Sequence, residues 1–229
     1  MMTGKFRSAV GVLARALVPV LIVCAAALAP FAAEAAIDEE AVRRAWLDVS
    51  RTAEMEPLPL SIKNDESPNA WVTAGESVTV TTGLMDLLGS EKEIFGVLAH
   101  EAGHVKLKHY ERRVSNAAGV GLAAAILGRV IGDSTIGEVA VGIGANLAAA
   151  GYSREQEVAA DDFAVDLAFA GEFDPTGLHT ALMRISAYGG KTEPSGFNSH
   201  PPDDRRLKHI RDRIAARNPD AVFDEVKEQ

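Results

Sequence analysis

The feature that most constrains this chain is His100-Glu101-Ala102-Gly103-His104, set within residues 91–114, whose periodicity predicts one helix. Residues four apart lie above one another on one helical face, so His100 and His104 can present both imidazoles to a single ion. Glu101, beside the first of them, is then placed to act as a base. Ile94, Phe95, Val97, Leu98 and Val105 supply the apolar side of a half-buried helix, and charged residues occupy the other side. The pattern fixes only three residue types. Taken alone, it fits two ordinary hydrogen-bonded histidines as well as it fits a zinc site.

A catalytic zinc commonly takes three protein ligands and keeps one position open. The continuation that supplies a third histidine two turns further on is excluded, because Leu107 and Tyr110 stand where its glycine and histidine belong. His109 lies about 140° around a continuous helix from His104. That makes it a core histidine, or one that supports a ligand, rather than a ligand itself. The single cysteine, Cys24, sits in the N-terminal apolar run, so no thiolate ligand is expected. Glu157 is the better candidate. In Glu157-Val158-Ala159-Ala160-Asp161 both carboxylates share one helical face, so Glu157 can ligate while Asp161 accepts a hydrogen bond from a ligating imidazole. The plain alternative is two acids on a solvated face. Ala164 and Val165 on the same face, and small Ala159 and Ala160, favour packing instead.

Residues 1–35 are expected to be a secretory signal peptide. Lys5, Arg7 and Arg15 precede an apolar run from Ala16 to Ala29, and Ala33-Glu34-Ala35 is a small-x-small cleavage site. An uncleaved anchor is the rival reading, but the run falls short of the about 20 residues that span a bilayer. Residues 36–229 then form one domain. The formal net charge of −9 argues against nucleic acid as a partner.

Along that domain, Asp38 to Ala53 reads as a helix, and residues 58–62, 70–73 and 78–81 as three short strands of an antiparallel meander. Residues 83–88 read as a short helix, with Ser90 and Glu93 as a capping box for the motif helix. Residues 116–151, rich in Ala and Gly, predict two apolar helices broken near Asp133. A membrane-inserted hairpin is the sharper reading, but each arm is shorter than a spanning helix, so a buried or groove-covering hairpin is preferred, with peripheral membrane contact as the remaining lipid-facing reading. Helices are expected over residues 153–170 (Ser153 and Gln156 forming a capping box), 175–188 and 203–217, with residues 189–198 as a loop.

Together these pieces resemble the zinc metallopeptidase family that includes the CaaX prenyl protease, the bacterial heat-shock membrane protease and the mitochondrial inner-membrane quality-control protease. The resemblance runs through Asn69-Ala70-Trp71, Val80-Thr81-Thr82-Gly83-Leu84 and Leu98 to Val105. It continues through Tyr152 to Glu157, Ala160-Asp161, His200-Pro201-Pro202 and Arg206-Leu207. It implies an α+β, mostly helical, zincin-like domain with a small antiparallel β-meander on the HExxH helix.

It further implies one zinc ion per chain on His100, His104 and Glu157, with Glu101 as general base for a zinc-bound water. Asp161 would orient a ligand, Arg206 would brace the region, and His200 would close the metal site or aid the reacting carbonyl. Substrate is expected extended along Val78, Thr79, Val80 and Thr81. The function implied is an endopeptidase for unfolded or misassembled polypeptides of the cell envelope. The expected location is the periplasm of a Gram-negative bacterium, with membrane association only on the reading in which residues 116–151 touch lipid. A non-catalytic, zinc-containing chaperone or scaffold is the alternative.

Overall fold

The computed structural model describes residues 37–131, 151–189, 200 and 202–226. The expected signal peptide, the second arm of the apolar hairpin and nearly all of the loop at 189–198 lie outside the described residues.

Helix α1 (Glu39–Thr52) starts where Asp38 accepts the Ala41 N–H at 2.7 Å, and it buries Val42, Ala45, Trp46 and Val49. Trp46 donates its indole N–H to the Leu58 carbonyl, which ties the helix to the chain entering the sheet. The strands are β1 (Leu60–Lys63), β2 (Ala70–Thr73) and β3 (Ser77–Thr81). The expected antiparallel meander is corrected here. The order is β1-β3-β2, with β1 parallel and β2 antiparallel to β3.

The reason lies in the two connections. β2 and β3 are joined by a tight turn in which Ala74 and Gly75 take positive φ, so they pair directly. Residues 64–69 instead form a wide link. It is pinned across the end of β3 by Thr81, whose hydroxyl accepts from Asn69 N and donates to Ser67 O, and by Thr82, which accepts from Asp65 N. A link that wide leaves room for a strand between β1 and β2, at about 4.8 Å spacing on each side.

After the short α2 (Thr82–Leu87), α3 (Glu91–Lys106) runs through the centre of the domain and is buried on nearly every face. Ile94 and Leu98 are fully enclosed, a burial worth about 1.5–3 kcal/mol each. Two glycines let neighbours approach its backbone. A Cβ on Gly96 would stand 2.3 Å from Leu178 N, and one on Gly103 would stand 3.1 Å from Ala160 Cα. The expected capping box at Ser90 does not form. Glu93 is buried, where it takes the Gly89 N–H and the Ser90 hydroxyl and faces Arg184 at 2.9 Å.

The motif helix is also shorter than expected. It ends at Lys106, Lys108 takes a left-handed φ of 54°, and α4 (His109–Ile131) sets off in a new direction. Lys106 fixes the corner by donating to the Ala53 carbonyl at 2.8 Å. Within α4, Ala117 is buried while Val120, Leu122 and Ile126 are exposed, so the described arm of the expected hairpin is not buried throughout. No helix among the described residues is long and apolar enough to cross a membrane.

Helix α5 (Arg154–Ala170) opens with the expected Ser153–Gln156 capping box and packs on α3, as does α6 (Gly177–Gly189), and α7 (Asp204–Arg217) packs on α5.

Candidate metal centre

Three segments meet above the middle of α3. That helix presents His100 and His104 one turn apart, with their Nε2 atoms 3.1 Å from each other. Small residues at Gly103 and Ala160 bring α5 close enough to deliver Glu157, whose carboxylate oxygens lie 3.5 Å from both of those nitrogens. His200, from the segment leading into α7, places Nδ1 2.9 Å from Glu157 Oε1 and 3.4 Å from His100 Nε2. The ligand atoms of these four residues all lie within 4.8 Å of one another, and all four are buried.

One side of this cluster is tightly braced. Asp161, one turn after Glu157, sets Oδ1 2.9 Å from His100 Nδ1 and receives two hydrogen bonds from Arg206, at 2.8 and 2.7 Å. Arg206 also stands 3.0 Å from Glu157 Oε2 and donates to the His200 carbonyl. One guanidinium therefore grips a carboxylate behind His100, a carboxylate in the cluster and the backbone that carries His200.

His104 is held differently, by Tyr152 stacked on its ring at 3.9 Å and by His109, whose Nδ1 is 2.9 Å from His104 Nδ1. The left-handed corner at Lys108 is what turns His109 back towards His104. Gln156 locks the arrangement by donating to the His109 carbonyl. His109 therefore takes the supporting role expected of it, through a kink made without a glycine, whereas the stacking of Tyr152 on His104 had no signal in the sequence because the residue lies just outside a helix.

Glu101 is the exception. It is completely enclosed, and neither carboxylate oxygen completes a hydrogen bond. His200 Nε2 is 3.6 Å away, and the Val72 backbone of β2 faces it. Burial is the strongest influence on its pKa and raises it, against the opposing pull of His200 and His100.

The other groups follow their surroundings. Burial would lower His100, but Asp161 and Glu157 raise it to about 9. Burial, then the neighbouring His100 and His200, hold His104 far below the usual imidazole range. Glu157, which burial alone would raise, is held well below the carboxylate range by His100 and His200. Burial pushes the Tyr152 phenol up to about 12.

These residues fit a divalent cation. Three enclosed carboxylates (Glu101, Glu157 and Asp161) crowd the cluster beside one enclosed guanidinium, Arg206, and Asp161 and Glu157 hold a proton on His100 where a bound cation would supply the positive charge instead. Two imidazole nitrogens at 3.1 Å with a carboxylate beside them form a nitrogen and oxygen donor set with no thiolate.

The model of peptidase family M48 matches residues 36–214. The chain belongs to this family. Among curated proteins, this M48 chain is similar to metalloprotease LoiP of Escherichia coli (strain K12), at 31% identity over 164 residues, covering 70% of this chain and 64% of LoiP. It is similar to metalloprotease YcaL of the same organism at 34% identity over 166 residues, covering 70% of this chain and 63% of YcaL. It also matches the mitochondrial metalloendopeptidase OMA1 of Schizosaccharomyces pombe at 29% identity, over 66% of this chain and 45% of OMA1. The chain thus spans less than two thirds of the length of these relatives.

The M48 chain brings the expected site residues His100, Glu101, His104, Glu157, Asp161, His200 and Arg206 into one cluster. It does not bring Val78, Thr79, Val80 and Thr81 to it as a substrate edge. They form the central strand, paired on both sides. The outer strand beside α3 is β2. Thr81 N bonds Asn69 O, so alternation along the ladder turns the backbone groups of Ala70 and Val72 outwards.

Proposed function

We propose that this protein is a zinc-dependent endopeptidase that hydrolyses extended polypeptide segments. The observation that carries the reading is the convergence of His100, His104 and Glu157 around a common point, with Glu101 enclosed next to it and neither of its oxygens completing a hydrogen bond. These three residues would hold one zinc ion. When bound, the ion brings the pKa of a water towards ~7 and polarises a peptide carbonyl.

Glu101 does the proton work. A carboxylate whose pKa is raised by burial accepts a proton from the attacking water more readily than an exposed one, and it can hand that proton to the leaving amine. Asp161 keeps His100 oriented with Nε2 towards the cluster, and Arg206 keeps Asp161 and Glu157 in place. Tyr152 and His109 do the same for His104.

Substrate lies along β2, where the outward N–H and C=O groups of Ala70 and Val72 pair with an added strand next to Glu101. Such pairing needs an extended chain, which favours unfolded segments and loops. With an export segment at residues 1–35, the substrates are polypeptides of the cell envelope, in the periplasm.

His200 has a second reading of its own. Its Nδ1 lies among the donor atoms, so it would serve as a further ligand that closes the metal site and slows turnover; as a donor to the carbonyl it would instead speed it.

The test compares two variants on an unfolded reporter, with metal content measured in parallel. Glu101→Gln keeps the metal and loses about 10²- to 10⁴-fold in turnover. Undiminished turnover rejects the peptidase reading. His200→Ala exceeds wild type if His200 closes the site, and a value at or below wild type rejects that role.

A further inference from the structure

Beside the metal cluster, and sharing Glu157, Tyr152 and Arg206 with it, lies a cleft of about 410 Å³. Its walls are the opening turns of two long helices, α5 and α7, which begin at Arg154 and Asp204. Each helix N-terminus contributes partial positive charge, and here two of them converge. Arg154 and Arg205, one from each opening turn, line the cleft. Both are exposed, and neither makes a hydrogen bond or ion pair with a described residue, although Glu155 adjoins Arg154 in sequence.

The other charged groups of the cleft are committed. Asp203 caps α7 by accepting the Arg206 N–H, His209 is paired with Asp162, and Arg206 is spent on Asp161 and Glu157. Two uncommitted guanidinium groups therefore face a cleft next to the reacting centre, in a chain whose formal net charge is −9. Although Glu157 and Asp203 also line the cleft and Asp204 adjoins Arg205, two guanidinium groups without a hydrogen-bonded partner among the described residues suit an anion, and a guanidinium fork matches a carboxylate in particular.

We infer that this cleft is a specificity subsite in which Arg154 and Arg205 bind a carboxylate of the polypeptide substrate close to the scissile bond. The inference rests on the peptidase reading and adds a substrate preference to it. The carboxylate comes either from an acidic side chain or from a free C-terminus, and both carry the same chemistry.

The experiment uses the full-length, metal-loaded protein and quenched peptides that differ only in Glu or Gln beside the cleaved bond, each as free acid and as amide. Wild type prefers one carboxylate-bearing peptide by about tenfold in kcat/KM. A Glu preference identifies the side chain, and an acid-over-amide preference identifies the C-terminus. In Arg154→Gln/Arg205→Gln that ratio falls to within about twofold of unity, as expected when charge-assisted contacts are removed from a partly exposed site. In Arg154→Glu/Arg205→Glu a Lys peptide becomes preferred over the Glu peptide. Lys208→Gln, which removes a charge from α7 outside the cleft lining, keeps the wild-type ratio.

A wild-type ratio near one, or a preference that survives the double variant, overturns the inference. Anisotropy of the same labelled peptides on Glu101→Gln separates the two readings. Carboxylate-dependent binding without cleavage by wild type supports the subsite and rejects the peptidase. Cleavage without carboxylate dependence rejects only the subsite.

Discussion

On the α5–α7 side of the metal cluster, Asp161 and Glu157 both meet Arg206, which also holds the backbone of His200. On the β2 side, Glu101 is equally enclosed, yet its oxygens complete no hydrogen bond. The two sides shift their carboxylates in opposite directions. Burial would raise Asp161, but Arg206 and His100 lower it, whereas Glu101 stays raised. The difference separates two tasks. On the mechanism proposed above, the residues that would hold the ion are cross-linked to one another, and the residue that would exchange a proton completes no hydrogen bond.

The largest expected effect comes from breaking the braced side. Arg206→Ala leaves two buried carboxylates without their cation and should cost the metal-free protein about 3–5 kcal/mol in urea unfolding. A loss under about 1 kcal/mol would mean that the brace is dispensable, and the contrast between the sides would vanish.

A smaller effect of opposite sign is expected on the other side. Glu101→Gln removes a buried charge whose oxygens complete no hydrogen bond and should stabilise the metal-free protein by about 1–2 kcal/mol at pH 7. The pH dependence follows from the raised pKa. The folded state holds the Glu101 proton more tightly than the unfolded state, so wild type loses stability as pH rises above 4.5, the ordinary glutamate value. Below that pH both states are protonated and the advantage of the variant disappears. A destabilised variant at pH 7, or a gain that persists at pH 4, contradicts a Glu101 whose oxygens complete no hydrogen bond.

Legibility in the sequence followed the range of the interactions. His100, Glu101 and His104 were readable because one helical turn fixes their relation, and Glu157 with Asp161 for the same reason one helix later. The mostly helical fold and the caps at Asp38 and Ser153 were readable as local chemistry. The break after Lys106 was not, because Lys108 adopts a left-handed conformation that usually announces itself as glycine. Strand order was hidden for another reason. Residue patterning sets which face of a strand is buried, but the width of the 64–69 link decides what pairs beside β3, and that makes β2, not Val78–Thr81, an outer strand. Tyr152 was missed as a support for His104 because nothing in its neighbourhood shows which ring it will stack on.

The central claim is that Glu157 completes a metal site begun by His100 and His104, and metal content measured on purified wild type beside Glu157→Ala tests it most directly. The account predicts about one zinc per wild-type chain and, in the folded variant, loss of most of it. Equal zinc in both proteins would contradict the account.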